Sequence, residues 1–194
     1  PGIVKQQIPN VFAKLLYGSK FFKIKQSRGQ QGIGVSAAVL YSQLTTGKSA
    51  KIISKIDPKK PAHYFELHID TTKNEPEILK EETVEWNKNH GTRVELELEA
   101  KYQKGSKSVE EYIKECAMVN PSLKLIYIDP EGQEQVYQRA TSELPKESIA
   151  IKPHPHGVEL GMLLRMLKDT SARTVQSFLM NDFSRVGSKT AKGI

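Results

Sequence analysis

The segment Ser27-Arg28-Gly29-Gln30-Gln31-Gly32-Ile33-Gly34-Val35-Ser36 restricts the fold more than any other stretch of this chain. Its three glycines run directly into an apolar, alanine-rich helical pattern from about Val35 to Leu44, which Thr45, Thr46 and Gly47 end. Glycine has no Cβ, so backbone N–H groups there can close on an anion. The helix that follows adds unpaired N–H groups and the positive end of its dipole. A phosphate cradle is one reading; glycines that serve only turns and tight helix packing are the other. The G-x-x-G-x-G spacing fits neither common nucleotide loop. A dinucleotide fold needs a buried strand before its glycines, whereas a polar, basic stretch with Lys20, Lys23, Lys25 and Arg28 precedes these. A Walker loop ends in Gly-Lys-Ser/Thr, and this one ends in Gly-Val-Ser. Ser19, Lys20 and Arg28 add hydroxyl and cationic groups near the glycines, which suits a lid closing over phosphates.

The flanking patterns describe an α+β layer over residues 1–150, with a mostly antiparallel sheet and helices on one face. Ile8, Val11, Phe12, Leu15 and Leu16 have helical spacing from Ile8 to Tyr17, with Pro9 in the first turn and Gly18 as the stop. Strands are predicted at Ala50–Ile56, His63–Ile69, Ile78–Val84 and Thr92–Glu99. In the last, Val94, Leu96 and Leu98 alternate with Glu95, Glu97 and Glu99, which describes a half-buried strand with an acidic wet face. Asn87 to Gly91 reads as a hairpin turn. Ser108 and Glu111 form a capping box for a helix ending near Asn120-Pro121. Strands at Leu123–Ile128 and Gln135–Arg139 flank the turn Asp129-Pro130-Glu131-Gly132. The proline- and histidine-rich run Ile151 to Gly157 marks a boundary. Two helices follow, Val158–Lys168 and one capped by Ser171 that contains Val175, Phe178 and Leu179, and then a basic, glycine-interrupted tail.

Charge and cysteine content narrow the class. Lys and Arg outnumber Asp and Glu by 29 to 22, giving net +7 and a pI near 9.3. That excess suits a nucleic-acid or nucleotide partner and is also common without one. The 38% hydrophobic content supports a real core. A single cysteine, Cys116, excludes a disulfide framework and a cysteine zinc site, and its place on an apolar helix side predicts a core position. No run reaches the roughly 18 apolar residues of a membrane helix, so a cytoplasmic protein is expected. His63 and His68 face opposite sides of one strand, and His154 and His156 lack further ligand types nearby, so structural or exposed roles are expected for them. Arg185, Lys189 and Lys192 in the tail suit DNA phosphates or a plain solvated helix end.

Several motifs taken in order resemble one family. They are Pro1-Gly2-Ile3, Ile8-Pro9-Asn10-Val11-Phe12, Gly18-Ser19-Lys20, Gln26 through Gly34, Ala38 through Gln43, His90-Gly91-Thr92, Asp129 through Gly132 and Ile151 through Val158. Together they look like the B subunit of DNA topoisomerase VI, the ATPase component of type IIB topoisomerases. The series covers essentially the whole chain. Other GHKL ATPases, such as gyrase B, MutL and histidine kinases, share the lid but not the Lys-Pro-His-Pro segment.

The resemblance implies a GHKL (Bergerat-type) ATPase sandwich over residues 1–154, a mixed, mostly antiparallel sheet with helices on one face, N-terminally incomplete. Residues 155–194 would begin a helix-two-turns-helix domain. Ser19 and Lys20 would line the nucleotide pocket, while Gly29, Gln30, Gln31, Gly32, Ile33, Gly34, Val35 and Ser36 would wrap the triphosphate. Gly2 would close an Asp-Asn-Gly-x-Gly motif whose Asp reads adenine. That Asp, the catalytic Glu and the Mg²⁺-binding Asn are expected upstream of Pro1, and the transducer lysine beyond Ile194, so no catalytic or metal-binding residue is assigned here. The implied cofactors are ATP and Mg²⁺. The implied partners are the topoisomerase VI A subunit, a second B subunit in an ATP-dependent homodimer within a heterotetramer, and double-stranded DNA, with no membrane. ATP-driven dimerisation would gate passage of one duplex through a break made by the A subunit, and this stretch alone would hydrolyse ATP negligibly. The competing readings are a non-catalytic DNA-binding or interaction protein of the same fold, and another GHKL ATPase such as a MutL-like repair protein.

Overall fold

Residues 2–18, 29 and 31–194 are described by the structure, a computed structural model. The chain divides into two units, one of Pro1–Tyr17 and Ile33–Glu147, the other of Gly18–Gly32 and Ser148–Ile194. The basic stretch with Lys20, Lys23, Lys25 and Arg28 lies outside the described residues.

In the first unit, period-2 patterning builds a four-stranded sheet from β1 (Ala50–Lys55), β2 (Ala62–Asp70), β3 (Glu75–Val84) and β4 (Gly91–Glu95). The order is β3-β2-β1-β4, and each pairing among the described residues is antiparallel, with no parallel strand of a mixed sheet. One face carries Ala50, Ile52, Phe65, Leu67 and Ile69. Helices α1 (Ile8–Ala13) and α2 (Gly34–Thr46) cover it with Ile8, Phe12, Ala13 and Val39. Each large apolar side chain buried there contributes about 1.5–3 kcal/mol. The expected α+β arrangement, with helices on one sheet face, is what forms. The opposite face is polar: Tyr64 bonds Glu66 at 2.6 Å, and Arg93 pairs with Glu95.

Several elements depart from the sequence reading. Helix α1 stops at Ala13, short of Tyr17, because the Asn74 side chain captures the backbone of Leu15. Its Oδ1 accepts the Leu15 N–H at 2.8 Å and its Nδ2 donates to the Leu15 carbonyl at 3.1 Å. Residues Asn87 to Gly91 do not form a hairpin turn. Strands β3 and β4 lie on opposite edges, so the connection crosses the end of the sheet. Three strand spacings separate the edges by roughly 14 Å, and residues 85–90 extended reach roughly 20 Å. Strand β4 ends at Glu95 rather than Glu99, because the carbonyls of Glu97 and Glu99 accept hydroxyls of α2 instead: Ser42 at 2.7 Å and Tyr41 at 3.2 Å. Leu96 packs against the core, while Val94 and Leu98 stay 40% and 46% exposed.

The two free edges differ. The β3 edge carries Pro76, a bulge opposite Glu66/Leu67, and Glu75, Glu77, Glu81 and Glu82. The β4 edge has neither the proline nor the bulge, and its charged residues are Arg93 and Glu95, which pair with each other.

Helix α3 (Val109–Val119) begins as its capping box predicts, with Ser108 Oγ accepting the Glu111 N–H at 3.2 Å. The Glu111 carboxylate takes the N–H of Lys107, one residue before the cap, at 2.6 Å. Strands β5 (Leu125–Ile128) and β6 (Glu134–Tyr137) form a separate hairpin rather than joining the main sheet. Cys116 is half-buried, not core, since α3 buries none of its residues.

The second unit contains α4 (Leu160–Asp169), α5 (Val175–Asp182) and α6 (Ser188–Gly193). The cap of α5 is Thr174, whose Oγ1 accepts the Ser177 N–H at 3.1 Å, and not Ser171. Phe178 and Phe183 are buried edge to face, 5.4 Å apart. Pro153 of the proline–histidine run accepts the N–H of Ser184 at 2.9 Å. Among the described residues no helix is long and apolar enough to cross a membrane.

Candidate functional site

Ile33, Gly34, Val35 and Ser36 form the entry to α2, in the first unit. Ile33 is the N-cap, with no side-chain cap bond, and the first turn holds no acidic residue. The first helical bond runs from the Ala37 N–H to the Ile33 carbonyl at 2.8 Å. Gly34 and Val35 are exposed at this end. The N–H groups of a first turn have no partner within their own helix, and this first turn places no carboxylate of its own at the positive dipole end.

Ser36 plays a different part. It is fully buried, in phase with Val39 and Ser42 on the face α2 turns to the sheet, and its hydroxyl lies 3.2 Å from the Ile33 carbonyl. Its side chain lies on the packed side of α2, while its backbone belongs to the helix entry.

Gly29, Gln31 and Gly32 fall in the second unit. Gly29 and Gly32 both sit at φ +67°, a left-handed conformation that favours glycine. A Cβ built on Gly29 or Gly34 would meet nothing within 4 Å, so open space surrounds both. Ser19, Lys20 and Gln30 lie outside the described residues.

A second polar centre escaped the sequence reading. Ser54 is fully buried on the core face of β1. Its Oγ accepts the Ile3 N–H at 2.7 Å and lies 3.0 Å from Thr92 Oγ1, 3.2 Å from the Ile3 carbonyl and 3.3 Å from the Gly91 carbonyl. Beside it, Gly2 presses on β1 so closely that an added Cβ would stand 2.0 Å from the Lys55 carbonyl oxygen. A cavity of about 310 Å³ adjoins, lined among others by Ile3, Val4, Ser54, Ile56 and His63. The signal was a lone serine in phase with Ala50 and Ile52, since a polar residue at a core position must find buried partners.

The shifted titratable groups lie away from both centres. Burial and the bond to Glu66 push the Tyr64 hydroxyl up to about 12, and the same bond holds the Glu66 carboxyl below its usual range. Burial acts to raise the Asp129 carboxyl, but the Gln133 N–H, Glu131 and Lys104 together hold it down. Among the described residues no group of three His, Cys, Asp or Glu side chains is placed to hold a metal.

Helices on one face of an antiparallel sheet define the first unit as an α+β domain. No protein-family model matches this chain. Proteins described as the B subunit of type 2 DNA topoisomerase 6 match it along its full length. That of Methanococcoides burtonii is 55% identical over 195 residues, that of Natronomonas pharaonis 55% over 194, and that of Archaeoglobus fulgidus 51% over 195. The chain belongs to this family of topoisomerase 6 B subunits. It spans 31%, 24% and 32% of those three relatives, so it corresponds to about a third of their length or less.

Proposed function

We propose that this stretch forms the phosphate-binding side of the ATP site in the B subunit of a type IIB topoisomerase. The observation that carries the reading is the pair of left-handed glycines, Gly29 and Gly32, leading into the uncapped, carboxylate-free start of α2. That donor set suits a polyanion: backbone N–H groups and a helix dipole recognise phosphate oxygens without any side chain. In this reading Gly29 through Ser36 wrap the triphosphate, and Ser19 and Lys20 add hydroxyl and ammonium groups. Bound ATP with Mg²⁺ would supply the free energy for joining two B subunits.

The same reading makes residues 1–154 a GHKL domain and residues 155–194 the start of a helix-two-turns-helix domain. Arg185, Lys189 and Lys192 then face the phosphates of double-stranded DNA. The protein partners, in the cytoplasm, are a second B subunit and the A subunit that would cut the duplex. Gly2 stands at the end of the adenine-reading motif.

The test uses the full-length protein that carries this sequence, with Gly32→Val. A β-branched residue resists φ +67°, so affinity for a non-hydrolysable ATP analogue should fall at least tenfold by calorimetric titration, with the fold retained by circular dichroism. Unchanged affinity would overturn the reading.

A further inference from the structure

We propose that Ser54 is a positioning residue for the base end of the nucleotide site, acting by fixing the backbone of Gly2 and Ile3. This rests on the ATP-site reading above, in which Gly2 ends the motif that reads adenine. Ser54 itself stands behind that backbone, fully buried.

Two contacts hold the Gly2–Ile3 segment: the Ile3 side chain packs against the core, and Ser54 bonds the Ile3 backbone. Gly2 has no side chain to anchor it, and its Cα is pressed on the Lys55 backbone. Ile3 follows, and its N–H goes to Ser54 Oγ at 2.7 Å, the shortest contact of the network. The single Ser54 proton has three oxygens in reach: Thr92 Oγ1 at 3.0 Å, the Ile3 carbonyl at 3.2 Å and the Gly91 carbonyl at 3.3 Å. One hydroxyl thus joins the incoming chain, the middle of the sheet and the first residues of β4. Serine suits the position because it accepts and donates at once in the space of a small side chain. Alanine would leave the Ile3 N–H unpaired and the Gly2–Ile3 backbone free to shift from its place against β1.

A role in stability alone would weaken every ligand of the domain alike. A role in positioning this backbone should weaken ligands that carry a base and spare those that carry only phosphates. The phosphate groups are recognised at Gly29 through Ser36, on other segments.

The experiment measures two probes on the full-length protein, parent and Ser54→Ala: a non-hydrolysable ATP analogue and inorganic tripolyphosphate. The ATP analogue should bind about tenfold more weakly to the variant, the scale of one lost buried hydrogen bond. Tripolyphosphate affinity should stay within about twofold. Should Ser54→Ala not fold, Ser54→Cys carries the same comparison, since sulfur fills the position but accepts the Ile3 N–H weakly. Equal losses for both probes, or no loss for either while the parent binds both, would overturn the positioning role and leave the ATP site standing. A parent that binds neither probe would overturn both.

Discussion

Replacing Gln43 with leucine should destabilise the first unit by about 2–4 kcal/mol. Strand β1 stops pairing with β2 at Ala50↔Leu67, so Ile69 has no β1 residue opposite it. The Gln43 side chain takes that place: its Oε1 accepts the Ile69 N–H at 2.8 Å and its Nε2 donates to the Ile69 carbonyl at 3.1 Å. Ile69 is nearly inaccessible, so water cannot substitute for the lost amide. Two hydrogen bonds contribute roughly 0.5–1.5 kcal/mol each, and leaving both backbone groups buried and unpaired raises the penalty further. Urea unfolding followed by the fluorescence of Trp86, the single tryptophan of the chain, reports on this unit. With a slope of about 2 kcal/mol per molar, the midpoint should fall by about 1–2 M. Gln43→Glu adds a pH signature. Ionised, the new carboxylate accepts the Ile69 N–H but repels its carbonyl; protonated, it donates to that carbonyl as the amide does. Its folded pKa is thus raised, and the deficit of this variant should shrink as pH falls through that value. A Gln43→Leu midpoint within about 0.3 M of the parent, near 0.5 kcal/mol, would refute the reasoning.

Other perturbations have equally definite outcomes. Phe65→Ala, in the centre of the main core, should destabilise the same unit by about 3–5 kcal/mol in the same urea assay. Ser108→Ala removes the cap of α3 and should weaken it by about 1 kcal/mol, seen as faster amide exchange confined to Val109–Val119. Asp129, whose carboxyl is held below its ordinary range, stabilises the β5–β6 turn above the unfolded carboxyl pKa near 4, and that contribution should vanish as pH falls through the lower folded value. Asp129→Asn should remove this acid-side loss from pH-dependent unfolding curves.

The α+β class, the strands and the cap of α3 were legible because each depends on local period or on one side chain, whereas the cap of α5 fell on Thr174 rather than Ser171. Ser108 and Glu111 show this well, since the cap needs only three residues of separation. Long-range choices were not legible. Nothing local to Ile8–Tyr17 shows that Asn74 ends the helix from 59 residues away. The alternation at Thr92–Glu99 is real, but pairing stops at Glu95 because α2 hydroxyls compete for the next carbonyls. Strand order has no local signal either, so the turn-like composition of Asn87–Gly91 suggested a hairpin where a crossover forms. The glycine segment was legible as backbone geometry, with Gly29 and Gly32 at positive φ and α2 starting at Gly34, because dihedral freedom and helix entry are local. Ser54 was not, because its importance comes from partners at Ile3 and Thr92.

The unequal edges of the sheet give it a direction of growth. A strand approaching β3 meets proline, a bulge and a run of charged side chains, each a barrier to pairing. One approaching β4, the other edge, meets neither proline nor bulge, and Val94 there is exposed. Self-association of this chain at high concentration should therefore favour β4 over β3 as the joining edge.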